Sequence, residues 1–183
     1  CALPISEMKG QVIYDFPTGT YFASSNPPSI IYDYLTNNIY GMAVDPQLIN
    51  QDSFEEAAAY CVANNFYANG AIGYSSTYKQ NLELICQSFG GVMYVHGGQI
   101  CLGIDRKAVS VQTFDEDDFF GTFNVTTSGS TDYFNTIDAK YTNPLSMYVT
   151  DVLRIPSDIT SDEAIATDGQ IITLSRDYSW VYD

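Results

Sequence analysis

The spacing of apolar residues predicts short helices in the first half of the chain. Asn26-Pro27-Pro28 is a break, since proline restricts the residue before it and suits the first turn of a helix. Its second proline opens a helix over residues 29–35, whose apolar residues recur on one side, and Thr36-Asn37-Asn38 ends that helix. Asp45-Pro46 then predicts a single helical turn that runs through Ile49.

A second, longer helix is predicted over residues 53–62. Asp52 followed by Glu55 has the spacing of a capping box, in which side chains satisfy backbone amides that lack helical partners. Asn64-Asn65 ends this helix. The residues expected on its buried face are Phe54, Ala57, Ala58, Cys61 and Val62.

A continuous apolar stripe predicts a third helix over residues 77–89. Four residues at i, i+3, i+4 and i+7 form the stripe: Leu82, Ile85, Cys86 and Phe89. Gly90-Gly91 stops the helix in the left-handed conformation that glycine permits. Residues 92–96 and 99–104 then form a hairpin pattern that turns at Gly97-Gly98. A helix that feeds a hairpin buries one face of the sheet against its stripe, which predicts a compact α+β unit.

The two ends of the chain have the patterns of β structure. Residues 1–25 alternate loosely and are expected to be the last strands of a preceding β module. Beyond residue 113, strands are predicted at residues 123–127, 133–141, 147–153 and 171–174. The predicted organisation is α+β: the end of a β module over 1–25, a helix-plus-hairpin domain over 26–112, and a β-rich, barrel-like module over 113–183. We interpret the chain as a segment of a larger multidomain protein, because sequence beyond residue 183 is expected to complete the last module.

Composition and charge narrow the classes of function. The chain has 183 residues, of which 45% are hydrophobic, so it can bury a core. Its 22 Asp and Glu against 7 Lys and Arg give a formal net charge of −15. That charge argues against binding a nucleic acid, whose phosphates attract Lys and Arg, and against lying on an anionic membrane surface. No stretch of the sequence approaches the roughly 20 apolar residues that a transmembrane helix needs.

Residues that commonly carry chemistry are sparse. The only histidine, His96, lies next to the Gly97-Gly98 turn and is interpreted as a polar residue beside a turn. A nucleophile activated by His96 would be expected in a motif such as GxSxG, and the sequence has none. A zinc site would be expected to use paired cysteines, and the sequence has no CxxC motif. Three of the four cysteines, Cys61, Cys86 and Cys101, fall on apolar positions and are expected to be reduced core thiols. A disulfide between two of the cysteines is the alternative that the sequence alone leaves open.

The acidic residues have structural interpretations. Glu55 and Glu56 are placed at a helix start, where the helix dipole stabilises negative charge, and Glu83 is expected to face solvent. The run Asp115-Glu116-Asp117-Asp118 lacks the ligand spacing of a calcium loop and is interpreted as a solvated turn or helix start. Asn124-Val125-Thr126 matches a glycosylation acceptor, a triplet that is common by chance. No catalytic, cofactor-binding or metal-binding residue is predicted, and the chain is not expected to be an enzyme.

Two long stretches carry a series of motifs in order. Residues 26–61 combine an NPP opening, a helix that ends in LTN, a YG turn and SFEEAAAYC. Residues 69–121 combine an NG turn, NLELICQSFGG, the GG hairpin and TFDEDDFFG, and the motifs DYFN and YTNP follow. This ordered set resembles the central region of the tip attachment protein J family, the tail-tip hub and host-specificity proteins of lambda-like phages. Asn50 departs from the family pattern, which has Asp at that position.

The resemblance implies a structural function. Such a protein forms the hub of the tail tip or baseplate, as a homotrimeric ring beneath the tail tube of a virion that is assembled in the host cytoplasm. It implies contacts with distal tail or tail tube proteins and with the tape measure protein, and a channel through which DNA leaves. Receptor recognition is implied only for parts outside this segment, with no sequence-specific nucleic-acid binding and no membrane insertion by the segment itself.

Two other functions stay open. One is a tail-associated hydrolase that thins the cell envelope, which the scarcity of histidine and the missing motifs disfavour. The other is a carbohydrate-binding module that uses exposed tyrosines and Trp180. The chain has 15 tyrosines, most of which are expected in the core and others at subunit contacts, because tyrosine buries area while keeping a polar tip.

Overall fold

The computed structural model describes residues 9–73, 75–115, 118, 121, 124, 133–160, 163–178 and 180–181. Contacts divide these residues into two compact units. The first unit takes in the described parts of Cys1–Asp105, Tyr141–Thr150 and Tyr178–Asp183. The second unit takes in the described parts of Arg106–Lys140 and Asp151–Asp177. The domain boundaries predicted after residues 25 and 112 stay predictions.

A short hairpin opens the described part of the first unit. β1 (Ile13–Asp15) pairs antiparallel with β2 (Thr20–Phe22), as the alternation in residues 1–25 indicated. Asp15 is buried, and its carboxylate accepts hydrogen bonds from the turn and from the residues that follow β2. The N–H of Phe16 donates to Oγ of Ser29 at 3.1 Å, which ties the hairpin to the first helix.

The first predicted helix is confirmed as α1 (Pro27–Thr36), which begins one residue before the expected proline. Asn26 caps it, because its Oδ1 accepts a hydrogen bond from the N–H of Ser29 at 3.3 Å. The other end of the same amide, Nδ2, donates to the carbonyl of Ala58 at 3.2 Å. Asn26 therefore holds the start of α1 against the second helix, and Asn37 closes the other end.

The second helix, α2 (Gln51–Ala63), begins two residues before the predicted start. Its cap is Asn50, whose Oδ1 accepts a hydrogen bond from the N–H of Ser53 at 3.0 Å. Asp52 lies inside the first turn, so the predicted capping box of Asp52 and Glu55 is wrong. The reason is local: the chain enters the helix directly after a short 3-10 turn, and Asn50 has the extended backbone that a cap residue needs.

The buried face of α2 is as predicted except at one position. Phe54, Ala57, Ala58 and Cys61 are all buried. Val62 is 48% exposed, which corrects the expectation that it lies in the core. Successive residues of an α-helix turn by about 100° around the axis, so Val62 points away from the face that Cys61 occupies.

The third predicted helix is confirmed as α3 (Tyr78–Gln87). A capping box closes its start: Oγ1 of Thr77 accepts from the N–H of Gln80, and the side chain of Gln80 accepts from the N–H of Thr77. The residues of the predicted stripe, Leu82, Ile85, Cys86 and Phe89, are all buried.

The predicted hairpin is also confirmed. β3 (Gly91–His96) and β4 (Gln99–Ile104) pair antiparallel over six residues each, with His96 opposite Gln99. Gly97-Gly98 forms the two-residue turn, in which φ is positive at both positions (60° and 83°). Glycine adopts such a turn without steric cost.

One hydrophobic core lies between the three helices and the β3–β4 hairpin in the first unit. α1 packs against α2 and α3, and α2 packs against β4. The largest fully buried apolar side chains are Phe54, Ile31, Leu35 and Ile85. Burial of each such side chain stabilises the fold by about 1.5–3 kcal/mol. In the part of the chain that is described, no helix has the length and apolar content needed to cross a membrane.

A three-stranded sheet with the order β6–β5–β7 follows later in the chain. Its strands are β5 (Thr136–Asn143), β6 (Val149–Ile155) and β7 (Thr173–Tyr178). β5 and β6 confirm the strands predicted at 133–141 and 147–153, with shifted ends. β7 shares only residues 173–174 with the strand predicted at 171–174. The strand predicted at 123–127 lies, apart from residue 124, outside the described residues.

Helices and small sheets together make the fold α+β, as expected. The described strands form open sheets of two or three strands, and no closed barrel occurs among them. The second half also contains a helix that was not predicted, α4 (Glu163–Asp168). With six residues, α4 offers too few positions for a helical period to appear in the sequence.

Candidate functional site

The outer edge of β4 is covered by the start of α2. The carbonyl of Ile100 accepts a hydrogen bond from the N–H of Asn50 at 2.9 Å. The N–H of Leu102 donates to Oγ of Ser53 at 3.1 Å. Ile49 also forms a parallel β-bridge with Ile100. The backbone groups that point away from the hairpin on this side therefore have partners within the fold.

The outer edge of β3 has no such cover. In a two-residue hairpin, the residues beside the turn exchange both backbone hydrogen bonds, and bonded pairs alternate from there. Because His96 lies opposite Gln99, the backbone groups of Gly91, Met93 and Val95 point outward. Among the described residues, nothing pairs with these groups. We call the outward backbone groups of Gly91, Met93 and Val95 the open edge.

The side chains along the open edge are apolar and exposed. Val95 is 72% exposed, and Val92 and Tyr94 are each about half exposed. Residues 91–104 contain no Asp, Glu, Lys, Arg or Pro, although the chain carries a net charge of −15. Proteins usually protect a strand edge with charges, proline or a covering element, and the described part of the chain provides none of these devices at β3. His96 ends β3 as an exposed polar residue beside the turn, as predicted.

A groove of about 710 Å³ opens elsewhere in the first unit. It lies between residues of β1, α1, the segment 68–73 and the start of α3. Asn81 is 3% exposed, and its Nδ2 donates to the hydroxyl of Tyr34 at 2.8 Å. The hydroxyl of Tyr40 donates to the carboxylate of Asp33. Burial, this hydrogen bond and the charge of Asp33 raise the pKa of Tyr40. We call this site the Tyr34–Asn81 groove.

Trp180 borders the same groove and does not project into solvent. It is 8% exposed, its carbonyl accepts a hydrogen bond from the N–H of Asn69 at 3.0 Å, and its indole ring lies against Gly70. The expectation that Trp180 is an exposed contact of a carbohydrate-binding module is therefore wrong. Its neighbours lie far away in the sequence, so no local pattern could reveal its burial.

No family model matches the chain, and a search of curated proteins finds no similar sequence.

Neither the open edge nor the groove was predicted from the sequence. The open edge was missed, although the lack of charge over residues 91–104 was a readable signal for it. The Tyr34–Asn81 groove was missed because its residues come from separate elements, and nothing in the local pattern of any one element indicates it.

Glu55, Glu56 and Glu83 lie on the exposed faces of helices. Glu83 is exposed and pairs with Lys79 one helical turn away, with Nζ and Oε1 3.7 Å apart. Such a pair stabilises a helix by about 0.2–0.5 kcal/mol. Glu55 and Glu56 are exposed on α2, beyond the first turn, where Asp52 is the acidic residue. The explanation of Glu55 and Glu56 by the helix dipole is therefore wrong, because the dipole acts mainly within the first turn.

Two hydrogen bonds join Asp115 and Asp118, the described residues of the acidic run. The N–H of Asp115 donates to Oδ2 of Asp118 at 3.0 Å, and the N–H of Asp118 donates to the carbonyl of Asp115 at 3.2 Å. Residues 116–117 lie outside the described part, as do residues 125–126 of the glycosylation triplet, whose Asn124 is exposed. No group of three His, Cys, Asp or Glu side chains among the described residues could hold a metal ion.

The cysteines that can be placed are buried free thiols, as expected. Cys61, Cys86 and Cys101 lie inside the first unit, whereas Cys1 lies outside the described residues. Burial raises the pKa of Cys61 to about 12. Burial, and then the charge of Glu83, raise the pKa of Cys86 to about 12. Because the thiolate is the reactive form, Cys61 and Cys86 are unsuited to nucleophilic chemistry at neutral pH.

The second unit exposes much of its apolar surface. Among its described residues, Ile165 is the one buried hydrophobic side chain. Val109, Val111, Leu153 and Ile155 are all at least half exposed.

One ion pair ties two strands of the second unit together. Arg154 of β6 donates two hydrogen bonds to the carboxylate of Asp138 in β5, at 2.7 and 2.8 Å. These bonds, followed by the positive charge of Arg154, lower the pKa of Asp138. Both side chains are partly exposed, so the pair sets strand geometry more than it stabilises the fold.

Proposed function

We propose that this chain is a structural segment of a phage tail-tip or baseplate hub, which acts by assembly and not by catalysis. Copies of the protein form a threefold ring beneath the tail tube. Distal tail or tail tube proteins and the tape measure protein contact this ring, and DNA passes through it during host entry. The open edge is the observation that carries the assembly part, and the ordered motifs of residues 26–144 support the assignment to a tail tip.

A neighbouring chain can satisfy the open edge by adding one extended strand. Each backbone hydrogen bond formed with Met93 or Val95 stabilises such a contact by about 0.5–1.5 kcal/mol. The same strand covers the exposed side chains of Val92, Tyr94 and Val95, which contributes about 25 cal/mol for each Å² of apolar surface that it buries. Recognition by strand addition uses this combination of backbone bonds and alternating side chains.

Charge favours the hairpin as the place of contact. Two copies that each carry a net charge of −15 repel each other over most of their surfaces. Residues 91–104 are uncharged, so a neighbour approaches there without a like charge directly opposite. The exposed apolar residues of the second unit supply further surface for contacts with other tail proteins.

Several residues of the motif series hold the fold that presents this edge. Asn26 caps α1 and bonds to α2, and Asn37 ends α1. Ser53 accepts the bond from Leu102 that covers the other edge of the hairpin. A motif series whose members carry such contacts supports a common fold with the family that it resembles.

The net negative charge also suits a channel for DNA. Acidic residues on the wall of a ring repel phosphates, so that DNA slides through without being held. Replacement of wall Asp or Glu by Lys is expected to slow DNA release from assembled particles, measured as DNA that remains inside after triggering. Unchanged release in such particles would remove this part of the proposal.

The assembly is tested by placing a charge on the open edge. Val95→Lys puts an ammonium group beside the edge, and Val109→Lys makes the same change at an exposed position outside any strand. We expect the unaltered chain and Val109→Lys to show a concentration-dependent mass, measured by light scattering, that rises toward three times the 20.3 kDa of one chain. Val95→Lys is expected to stay at the mass of one chain while keeping the same circular dichroism spectrum.

Two outcomes contradict the proposal. The first is an unaltered chain that stays at the mass of one copy at every concentration tested. The second is a folded Val95→Lys chain that assembles as well as the unaltered one, since the edge would then take no part. Electron microscopy of the assembled particle tests the ring independently, and a closed ring is expected.

A further inference from the structure

The Tyr34–Asn81 groove contains polar groups whose hydrogen-bonding capacity is only partly used. Nδ2 of Asn81 donates to the hydroxyl of Tyr34, whereas the carbonyl oxygen of the Asn81 side chain accepts no bond from any described residue. The hydroxyl proton of Tyr34 likewise has no acceptor among the described residues. Every fully buried side-chain polar atom in the described part has a partner. The free oxygen of Asn81 is therefore accessible from the groove, although the residue as a whole is 3% exposed.

Further polar groups line the groove around this pair. The carboxylate of Asp33 accepts the Tyr40 hydroxyl and has remaining acceptor capacity. Oδ1 of Asn69 accepts the Ser25 hydroxyl at 2.8 Å, which leaves the amide nitrogen of Asn69 as a donor. The walls thus offer both donors and acceptors. A ligand that matches them carries groups that both donate and accept, as hydroxyl groups do.

Charge excludes one large class of ligand. The described residues that line the groove include no Lys, Arg or His, and Asp33 is the one acidic side chain among them. An anionic ligand such as a phosphate or a nucleotide would meet a carboxylate with no cation to offset it. The ligand must therefore be neutral or weakly cationic.

The groove also offers an aromatic surface. The ring of Tyr78 is 51% exposed, and its centroid lies 5.8 Å from that of the buried Tyr34. A volume of about 710 Å³ is within the size range of small-ligand sites. The side chains of Ile30 and Ile72 add apolar surface to the lining.

From these observations we infer that the Tyr34–Asn81 groove binds a neutral sugar unit of a glycan. Hydroxyl groups of the sugar accept from Tyr34 and Asn69 and donate to Asn81 and Asp33. The apolar face of the sugar ring lies on the exposed ring of Tyr78. Trp180 acts as a wall of the groove and not as the stacking surface. The inference is independent of the proposed hub function, since it concerns another surface of the first unit.

The test measures binding of three soluble probes by isothermal titration calorimetry. Two are neutral, chitotriose and maltotriose, and the third is the anionic sialyllactose. We expect saturable binding of at least one neutral probe and weaker or no binding of sialyllactose. Tyr78→Ala is expected to weaken the neutral probe by about tenfold, the effect of losing one aromatic contact. Tyr148→Ala, whose side chain is similarly exposed but lies outside the groove, is expected to leave binding unchanged.

A second variant tests the polar part of the site. Asn81→Asp keeps the size of the side chain and replaces the amide by a carboxylate, and a matching urea midpoint shows whether the variant is folded. If Asn81→Asp fails to fold, the comparison of Tyr78→Ala with Tyr148→Ala decides alone. The inference is overturned if no neutral probe saturates, if Tyr148→Ala and Tyr78→Ala act alike, or if sialyllactose binds best. It is also overturned if an apolar peptide, and no sugar, binds in a manner that depends on Tyr78.

Discussion

The contact between Trp180 and Gly70 places the end of the described chain against a segment far away in the sequence. A Cβ atom added at Gly70 would lie 2.5 Å from Cδ2 and Cε2 of the indole ring. Non-bonded carbon atoms prefer about 3.5–4.0 Å, so Gly70→Ala forces the ring or the loop to move by about 1 Å. The hydrogen bond from Asn69 to the carbonyl of Trp180 opposes this movement.

The size of the effect follows from the packing. Extra volume in a close-packed site destabilises a protein by about 1–3 kcal/mol. Trp180 is 8% exposed, and a displaced indole gains contact with water. We therefore expect Gly70→Ala to lower the free energy of unfolding by about 1–3 kcal/mol and to shift the fluorescence of Trp180 to longer wavelength.

Urea denaturation followed by tryptophan fluorescence measures both effects at once, because the chain has a single tryptophan. Gly10→Ala is the matched control, since a Cβ at Gly10 meets nothing within 4 Å. A change below about 0.5 kcal/mol is expected for the control, as for other surface substitutions. If Gly70→Ala leaves the emission maximum and the urea midpoint where they are in the unaltered chain, Trp180 does not pack as described.

Two further predictions concern the helix cap and the thiols. Asn50→Ala is expected to lower the free energy of unfolding by about 0.5–2 kcal/mol, because it removes the side chain that caps α2. Glu55→Ala is expected to change the free energy of unfolding by less than about 0.5 kcal/mol in the same urea titration. A larger loss for Glu55→Ala would support the capping box of Asp52 and Glu55 and contradict the cap at Asn50. In a Cys1→Ser chain at pH 8, Cys61 and Cys86 are expected to stay unreactive toward Ellman's reagent until denaturant is added, because burial raises their pKa values to about 12. Rapid labelling of Cys61 or Cys86 in the native chain would contradict this.

The parts of the fold that were predicted correctly depend on neighbours in the sequence. The apolar stripe of α3 lies within a few turns of helix. The hairpin followed from the Gly97-Gly98 turn between two apolar stretches. Local spacing carries such information directly, because both helix and hairpin bonds join residues that are close in sequence.

The parts that were missed depend on residues far apart. Asn81 and Tyr34 are 47 positions apart, and only packing of α3 on α1 brings them together. The burial of Trp180 depends on residues 69–70 in the same way. The cap of α2 is a nearer failure: Asp52 and Asn50 are both good cap residues, and the preceding turn decides between them.

Amide hydrogen exchange at β3, followed as a function of protein concentration, tests the proposed assembly most directly. The N–H of Tyr94 faces β4, so it is expected to be protected at every concentration. The N–H groups of Met93 and Val95 belong to the open edge, so they are expected to exchange fast in the single chain and to become protected as chains assemble. Fast exchange at Met93 and Val95 in a fully assembled sample would contradict the proposal that this edge joins the copies.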